Sequence, residues 1–163
     1  MCYLRDNFTG EKGNPETTFD ALRNGNELIF SFEAKDSSLT SYSDKDNDDL
    51  WRENVVEVFL DLGDDFYYEF EVAPNGKTFV ATILNGEIAF IKNDFFSSNV
   101  EIEGNTYKVT MKIDLSKFKN VQEVKYNAFR AEKKNVGKGQ ILEALNPTFC
   151  NTFHVREKFV ILQ

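Results

Sequence analysis

Residues 66–91 read FYYEFEVAPNGKTFVATILNGEIAFI, and this run decides the fold. Phe66, Tyr68, Phe70 and Val72 fall on one side of an extended chain, with Tyr67, Glu69 and Glu71 on the other. Ala73-Pro74-Asn75-Gly76-Lys77 then predicts a turn, because Asn-Gly supplies the positive φ that tight hairpins need. Thr78–Leu84 pairs back, Asn85-Gly86 repeats the signal, and Glu87–Ile91 makes a third strand. Three short strands joined by two such turns form an antiparallel meander.

The same pattern extends outward in both directions. Upstream, Leu28–Ala34 alternates, and Val55–Asp61 is a strand apolar on both faces except for Glu57. Downstream, Val100–Glu103 and Thr106–Ile113 meet at Gly104-Asn105, and Asp114–Phe118 is a single helical turn. Val124–Lys133 and Phe159–Leu162 are the last strands, and residues 1–27 read as polar and irregular, punctuated by Gly10, Gly13, Pro15 and Gly25. About nine short strands with no sustained helical period indicate an all-β protein, an antiparallel β-sandwich of jelly-roll type. The chain of 163 residues shows no linker or repeat and is read as one domain, 1–163.

Composition narrows the function. Nineteen Lys and Arg against 27 Asp and Glu give a net charge of −8 and a pI of about 4.8. That field repels phosphate backbones and anionic lipid, so nucleic acid is excluded as a partner, and no apolar run is long enough to span a membrane. Sixteen Phe, six Tyr and one Trp fit a ring-filled sandwich core. Cys2 and Cys150 make neither a disulfide framework nor a metal knuckle. Met1–Arg5 reads as no signal peptide. Asn7-Phe8-Thr9 has the glycosylation-acceptor pattern.

Chemistry has few places to sit. His154 is the sole histidine, so a histidine-rich metal site is impossible and a triad has one base to choose from. The 27 acids single out no pair for glycoside hydrolysis. Asp44, Asp46 and Asp48 alternate along Ser43–Asp49, the oxygen-rich pattern a calcium ion prefers, although the glycine and glutamate of an EF-hand are missing. Trp51 stands at a loop-to-strand junction, and Glu57 lies six residues on inside the apolar strand. A ring at a mouth with an acid behind it suits sugar, since the ring covers a pyranose face and the carboxylate accepts from hydroxyls. A core Trp with a salt-bridged Glu explains the same two residues.

Four segments occur in order: LWRENVVEVFLD (50–61), YYEFEVAPNG (67–76), YNAFRAE (126–132) and NPTFCNTFHVREKF (146–159). Together they resemble the family 9 carbohydrate-binding modules and their relatives, over nearly the whole chain. The resemblance implies a non-catalytic β-sandwich that binds a mono-, oligo- or polysaccharide and holds structural calcium. It further implies an accessory module of polysaccharide degradation, secreted or at the cell surface, that works with a glycoside hydrolase. Trp51 resembles the first ring of an aromatic clamp, and Glu57 the acid that bonds the sugar. Phe153 stands where the second ring is expected and is usually Trp; Leu145 likewise replaces a common Trp. Asn151 matches a polar contact, and Lys77 and Arg130 fall near basic hydrogen-bonders. The rival readings are a structural or interaction sandwich without sugar, and a carboxylate-based glycoside hydrolase.

Overall fold

The computed structural model describes residues 1–13, 16–35, 39–121, 123–133 and 139–163. Among these, thirteen strands form two sheets in which every pairing is antiparallel. One sheet holds β1 (Cys2–Tyr3), β3 (Thr17–Asn24), β4 (Glu27–Lys35), β10 (Thr106–Asp114) and β9 (Phe96–Glu103), in that spatial order. The other runs β2 (Arg5–Asp6), β12 (Gln140–Ala144), β11 (Lys125–Lys133), β5 (Val55–Asp61), β6 (Tyr67–Val72), β7 (Thr78–Leu84), β8 (Glu87–Phe90). A short β13 (Val160–Ile161) also pairs with β11. The architecture is the sandwich expected, and among the described residues no helix is long and apolar enough to cross a membrane.

The meander forms as its turns dictate. Val72 faces Thr78 across the 73–77 turn, and Leu84 faces Glu87 across Asn85-Gly86. Asn85 and Gly86 both take positive φ, at 51° and 81°, the requirement of a tight hairpin. The expectation for residues 1–27 is corrected: β1, β2 and β3 lie there, and β3 pairs with β4 along its whole length. Phe19 is its one fully buried large apolar side chain, while Asp20, Leu22, Arg23 and Asn24 face water, so alternation is faint. Strand β12 lay equally outside the sequence reading.

The main core lies between the sheets. Leu28, Phe30 and Phe32 of β4 and Tyr107, Val109 and Met111 of β10 meet Val56, Val58 and Leu60 of β5 and Phe70 of β6. Each fully buried side chain of this size contributes about 1.5–3 kcal/mol of hydrophobic stabilisation. A second cluster covers the outer face of the larger sheet. Val55, Phe59, Tyr67, Phe79 and Phe129 pack there under Leu50, Phe153 and Phe159. This explains why β5 is apolar on both faces: the 50–52 turn and the 145–159 segment roof its outer side. The opening left between those two covers is the candidate site.

Candidate functional site

A cleft of about 330 Å³ opens on the outer face of the larger sheet. One wall is the 3-10 turn Leu50–Arg52. Leu50 anchors it in the second core and leaves Trp51 outside, 44% exposed. Gln140 Nε2 donates to the Trp51 carbonyl at 2.6 Å, which ties the turn to β12. The Arg52 guanidinium lies 4.8 Å from the Trp51 ring centre and pairs with Asp49 at 3.3 Å. Glu53, next along, is fully used: it accepts from Tyr42 N, Ser43 N and Ser43 Oγ at 2.8–2.9 Å and holds that loop in place.

The opposite wall is residues 151–154. Its position is set from afar by Asn7, whose amide donates to Thr148 Oγ1 at 2.8 Å and to the Cys150 carbonyl at 2.9 Å. Asn7 Oδ1 in turn accepts from Thr148 N at 2.9 Å. Asn7 is completely buried, so its acceptor triplet offers no amide for glycosylation in the folded chain. Asn127 repeats the device by bonding Asn146 in both directions. Phe153 then stacks on Phe129, centroids 4.2 Å apart, and is 8% exposed. Asn151 and Thr152 stand exposed beside it, and Tyr67 Oη bonds His154 Nδ1 at 2.6 Å. Burial lowers the His154 pKa, so the ring is neutral at pH 7.

The floor is acidic. Glu57 and Glu69 line the cleft at 2% and 4% exposure, and Glu71 lies behind them at 0%. Glu57 faces Glu71 directly across β5 and β6. The three carboxylates each bring an oxygen within 4.8 Å of the other two. Glu57 Oε1, Glu69 Oε2 and both oxygens of Glu71 are buried, and no N–H or hydroxyl donor among the described residues reaches them. Glu69 and Glu71 are close enough for one carboxyl to share its proton with the other. Burial first, and neighbouring carboxylate charge second (Glu69 for Glu57; Glu57 and Glu69 for Glu71), hold Glu57 and Glu71 well above the usual carboxylate range. Burial pushes Glu69 up to about 7, against the bond from Glu71.

The structure thus brings Trp51, Glu57, Asn151 and Phe153 to one cleft, and it separates the other predicted residues from it. Lys77 sits in the β6–β7 turn, outside the lining. Arg130 points the other way, into the sandwich interior, where Nη1 donates to the Lys35 carbonyl at 3.0 Å and Nη2 meets Glu132 at 3.5 Å. Its parity with Tyr126 and Ala128 of the core face puts it there. Asp44, Asp46 and Asp48 are exposed and do not converge. Asp46 and Asn47 instead accept from Thr78 N and Val80 N, docking the loop on β7. Among the described residues, the acids close enough together to hold a cation are the three glutamates, of which sequence reasoning singled out one. Glu69 and Glu71 carried the right signal, alternation opposite Glu57, but only strand pairing shows that they meet. A wider depression of about 430 Å³ at the Asp61 end of β5 is polar, and its Arg156 is held by Asp61 through two bonds of 2.8 and 2.9 Å.

No family profile matches the chain. A curated relative from Arthroderma benhamiae, described as an extracellular protein, is 39% identical over 80 residues. That match covers 46% of this chain and 36% of the relative, so the chain spans about a third of the relative's length. Solved structures align far more completely. A Bacteroides uniformis protein provisionally described as carbohydrate-binding superposes with a TM-score of 0.80, at 18% identity, over 97% of this chain and 83% of its own. A family 9 carbohydrate-binding module from Caldicellulosiruptor kristjanssonii in complex with glucose gives 0.71, at 16% identity, over 97% and 81%. A family 9 module from the same organism in complex with cellotriose gives 0.63, at 16% identity, over 88% and 71%. The chain therefore has the fold of the family 9 carbohydrate-binding modules.

Proposed function

We propose that this chain is a non-catalytic carbohydrate-binding domain that takes a sugar residue in the cleft between Trp51 and the 151–154 wall. The observation that carries the reading is Trp51, the sole tryptophan, exposed at the rim of a cleft with Glu57 in its floor. The ring covers the apolar face of a pyranose, with Phe153 offering an edge opposite, and Glu57 and Asn151 bond the hydroxyls. The modules sharing this fold were solved with glucose and cellotriose, which supports saccharides as the ligand class.

Hydrolysis is the weaker reading. A retaining or inverting pair must flank the glycosidic bond, with one carboxylate ionised. Glu57 and Glu69 lie side by side on neighbouring strands of one floor, and burial without a nearby cation disfavours the ionised form of both. The proposed partners are a mono-, oligo- or polysaccharide and a glycoside hydrolase acting on the same material. The proposed location, secreted or at the cell surface, is supported by the description of the fungal relative. Titrating Trp51 fluorescence with glucose, cello-oligosaccharides and a broader glycan panel tests the reading. A saturable change is expected, and calorimetry on W51A, which lacks the fluorophore, should show binding at least tenfold weaker. No change with any saccharide overturns it.

A further inference from the structure

Resting on that reading, we infer that the cleft selects a sugar bearing a free amino group: the ammonium seats against Glu57 and Glu69 while the ring lies on Trp51. Both glutamates line the cleft and are at least nine-tenths buried, yet Glu57 Oε1 and Glu69 Oε2 receive no hydrogen bond from the described residues. The described lining contains no lysine or arginine. Its only basic side chain, His154, is neutral and already bonded to Tyr67. An acid pair so enclosed is costly unless a cation meets it, and the described lining supplies none. Glu71 behind the floor and Asp49 beyond it add to the negative field.

The shape of the site says which cation. A bare metal ion fills little of a cleft of about 330 Å³ and gains nothing from the Trp51 ring. An amino sugar uses both halves: an apolar face for the ring and a charge for the floor. The three carboxylates each offer an oxygen within 4.8 Å of the others. A primary ammonium with N–H···O distances of about 2.8 Å places two acceptors about 4.6 Å apart, which that limit admits for Glu57 and Glu69. An arriving ammonium favours the ionised form of the floor acids, and hydrogen bonds between opposite charges are roughly twice as strong as neutral ones, which is the source of the selectivity.

Calorimetry with glucosamine, N-acetylglucosamine and glucose, each also as a short oligomer, tests this at about pH 6.5, where a sugar amine keeps its proton. The expected result is at least tenfold tighter binding of the free amine than of the acetylated or neutral sugar. E69Q should reduce that preference to about twofold while neutral sugar still binds. The free and acetylated sugars differ only at the nitrogen and are compared on the unaltered chain, so a poorly folded E69Q leaves the test intact. Equal or tighter binding of neutral sugars overturns the inference and leaves the sugar reading standing. Binding of none of them overturns both. Calcium chloride that binds alone and displaces the amine means the floor holds a metal, and the inference fails.

Discussion

The larger sheet carries a group of buried acids on each face, and the two groups are built differently. On the inner face, Glu132 and Glu143 share the interior with Arg130, which meets Glu132 at 3.5 Å, donates to Thr17 Oγ1 at 3.3 Å and lies over the Tyr107 ring. Thr17 Oγ1 passes the network on, donating to Glu143 at 2.6 Å. On the outer face, Glu57, Glu69 and Glu71 stand together, and no guanidinium or ammonium of the described residues lies among them. The inner group is closed: its countercharge folds with the chain, and its work is to join the two sheets. The outer group borders a cleft whose described lining holds no lysine or arginine, and in the proposed reading what completes it arrives from outside. Burial and acidity are shared, and the presence of an internal cation separates structure from recognition.

The largest effect expected from this contrast lies at Arg130. R130M keeps the bulk of the side chain but strands the carboxylates of Glu132 and Glu143 between the sheets. Breaking a buried pair in this way costs about 3–5 kcal/mol, and urea denaturation should show that loss. Sugar affinity, read on the folded fraction, should stay within about twofold, because Arg130 faces away from the cleft. A loss below about 1 kcal/mol would mean that the inner acids do not depend on the guanidinium, and the comparison breaks.

The next effect is on stability against pH. Glu69 binds its proton more tightly folded than unfolded, its pKa rising from an ordinary 4.5 to about 7. Its contribution is therefore complete below about pH 4.5 and is lost as pH rises through 7, amounting to about 3 kcal/mol. Acids with lowered pKa values, such as Asp6 and Asp114, work in the opposite sense and only in the more acidic range below 3.8. Glu143 is also held near 7, by burial, although Arg130 and the Thr17 bond pull it down. Urea curves at pH 5 and pH 8 should show the native chain weakening, and E69Q should remove a large part of that loss. A pH-independent stability in the native chain contradicts the raised values on both faces.

Glu57 separates the two faces by affinity. E57Q keeps the shape and removes the charged acceptor. Hydrogen bonds to charged groups contribute about 1.5–3 kcal/mol, so affinity for a sugar should fall about 10- to 100-fold. Because no cation is left behind, stability should not fall, unlike the loss at Arg130, and at alkaline pH it should rise, since a buried glutamine at this position never has to ionise. Calorimetry and a denaturation curve on one preparation read both quantities. A loss of stability with unchanged affinity would place Glu57 with the structural acids.

Much of this arrangement was legible from residue order, and the exceptions have physical causes. The strands Val55–Asp61 and Thr78–Leu84 coincide with their sequence reading because side-chain parity and Asn-Gly turns act locally. Strand β3 escapes the sequence reading because Phe19 is its one buried large apolar side chain and Leu22 faces water, so alternation is faint. Trp51 and Glu57 are close in sequence, so their joint role shows in a single motif. Glu69 and Glu71 join them only through the β5–β6 register, a nonlocal fact. Arg130 is a different case. Its parity with Tyr126 and Ala128 already pointed inward, and the family resemblance outweighed it. The aspartates at 44, 46 and 48 had the composition of a cation loop, but their backbone neighbours turn them toward β7 and solvent.

The smallest expected effect concerns Lys77, and it sharpens the comparison by exclusion. If basic side chains outside the lining served as countercharges for the outer acids, Lys77 of the β6–β7 turn would be a candidate. Its contributions visible in the structure come from its backbone. Lys77 N accepts no role beyond donating to Asn75 Oδ1 at 3.1 Å, and its carbonyl accepts from Ala73 N at 2.9 Å. Both bonds survive in K77A. Among the described residues the ammonium makes no ion pair and does not line the cleft. Stability should stay within about 0.5 kcal/mol, as for surface substitutions generally. Affinity for neutral sugar should stay within about twofold. Removing one distant positive charge should, if anything, strengthen binding of a cationic sugar slightly, through the field alone, and more so at low salt. A tenfold loss of neutral-sugar affinity in K77A would show that the turn reaches the ligand, and the outer acids would then have a countercharge of their own.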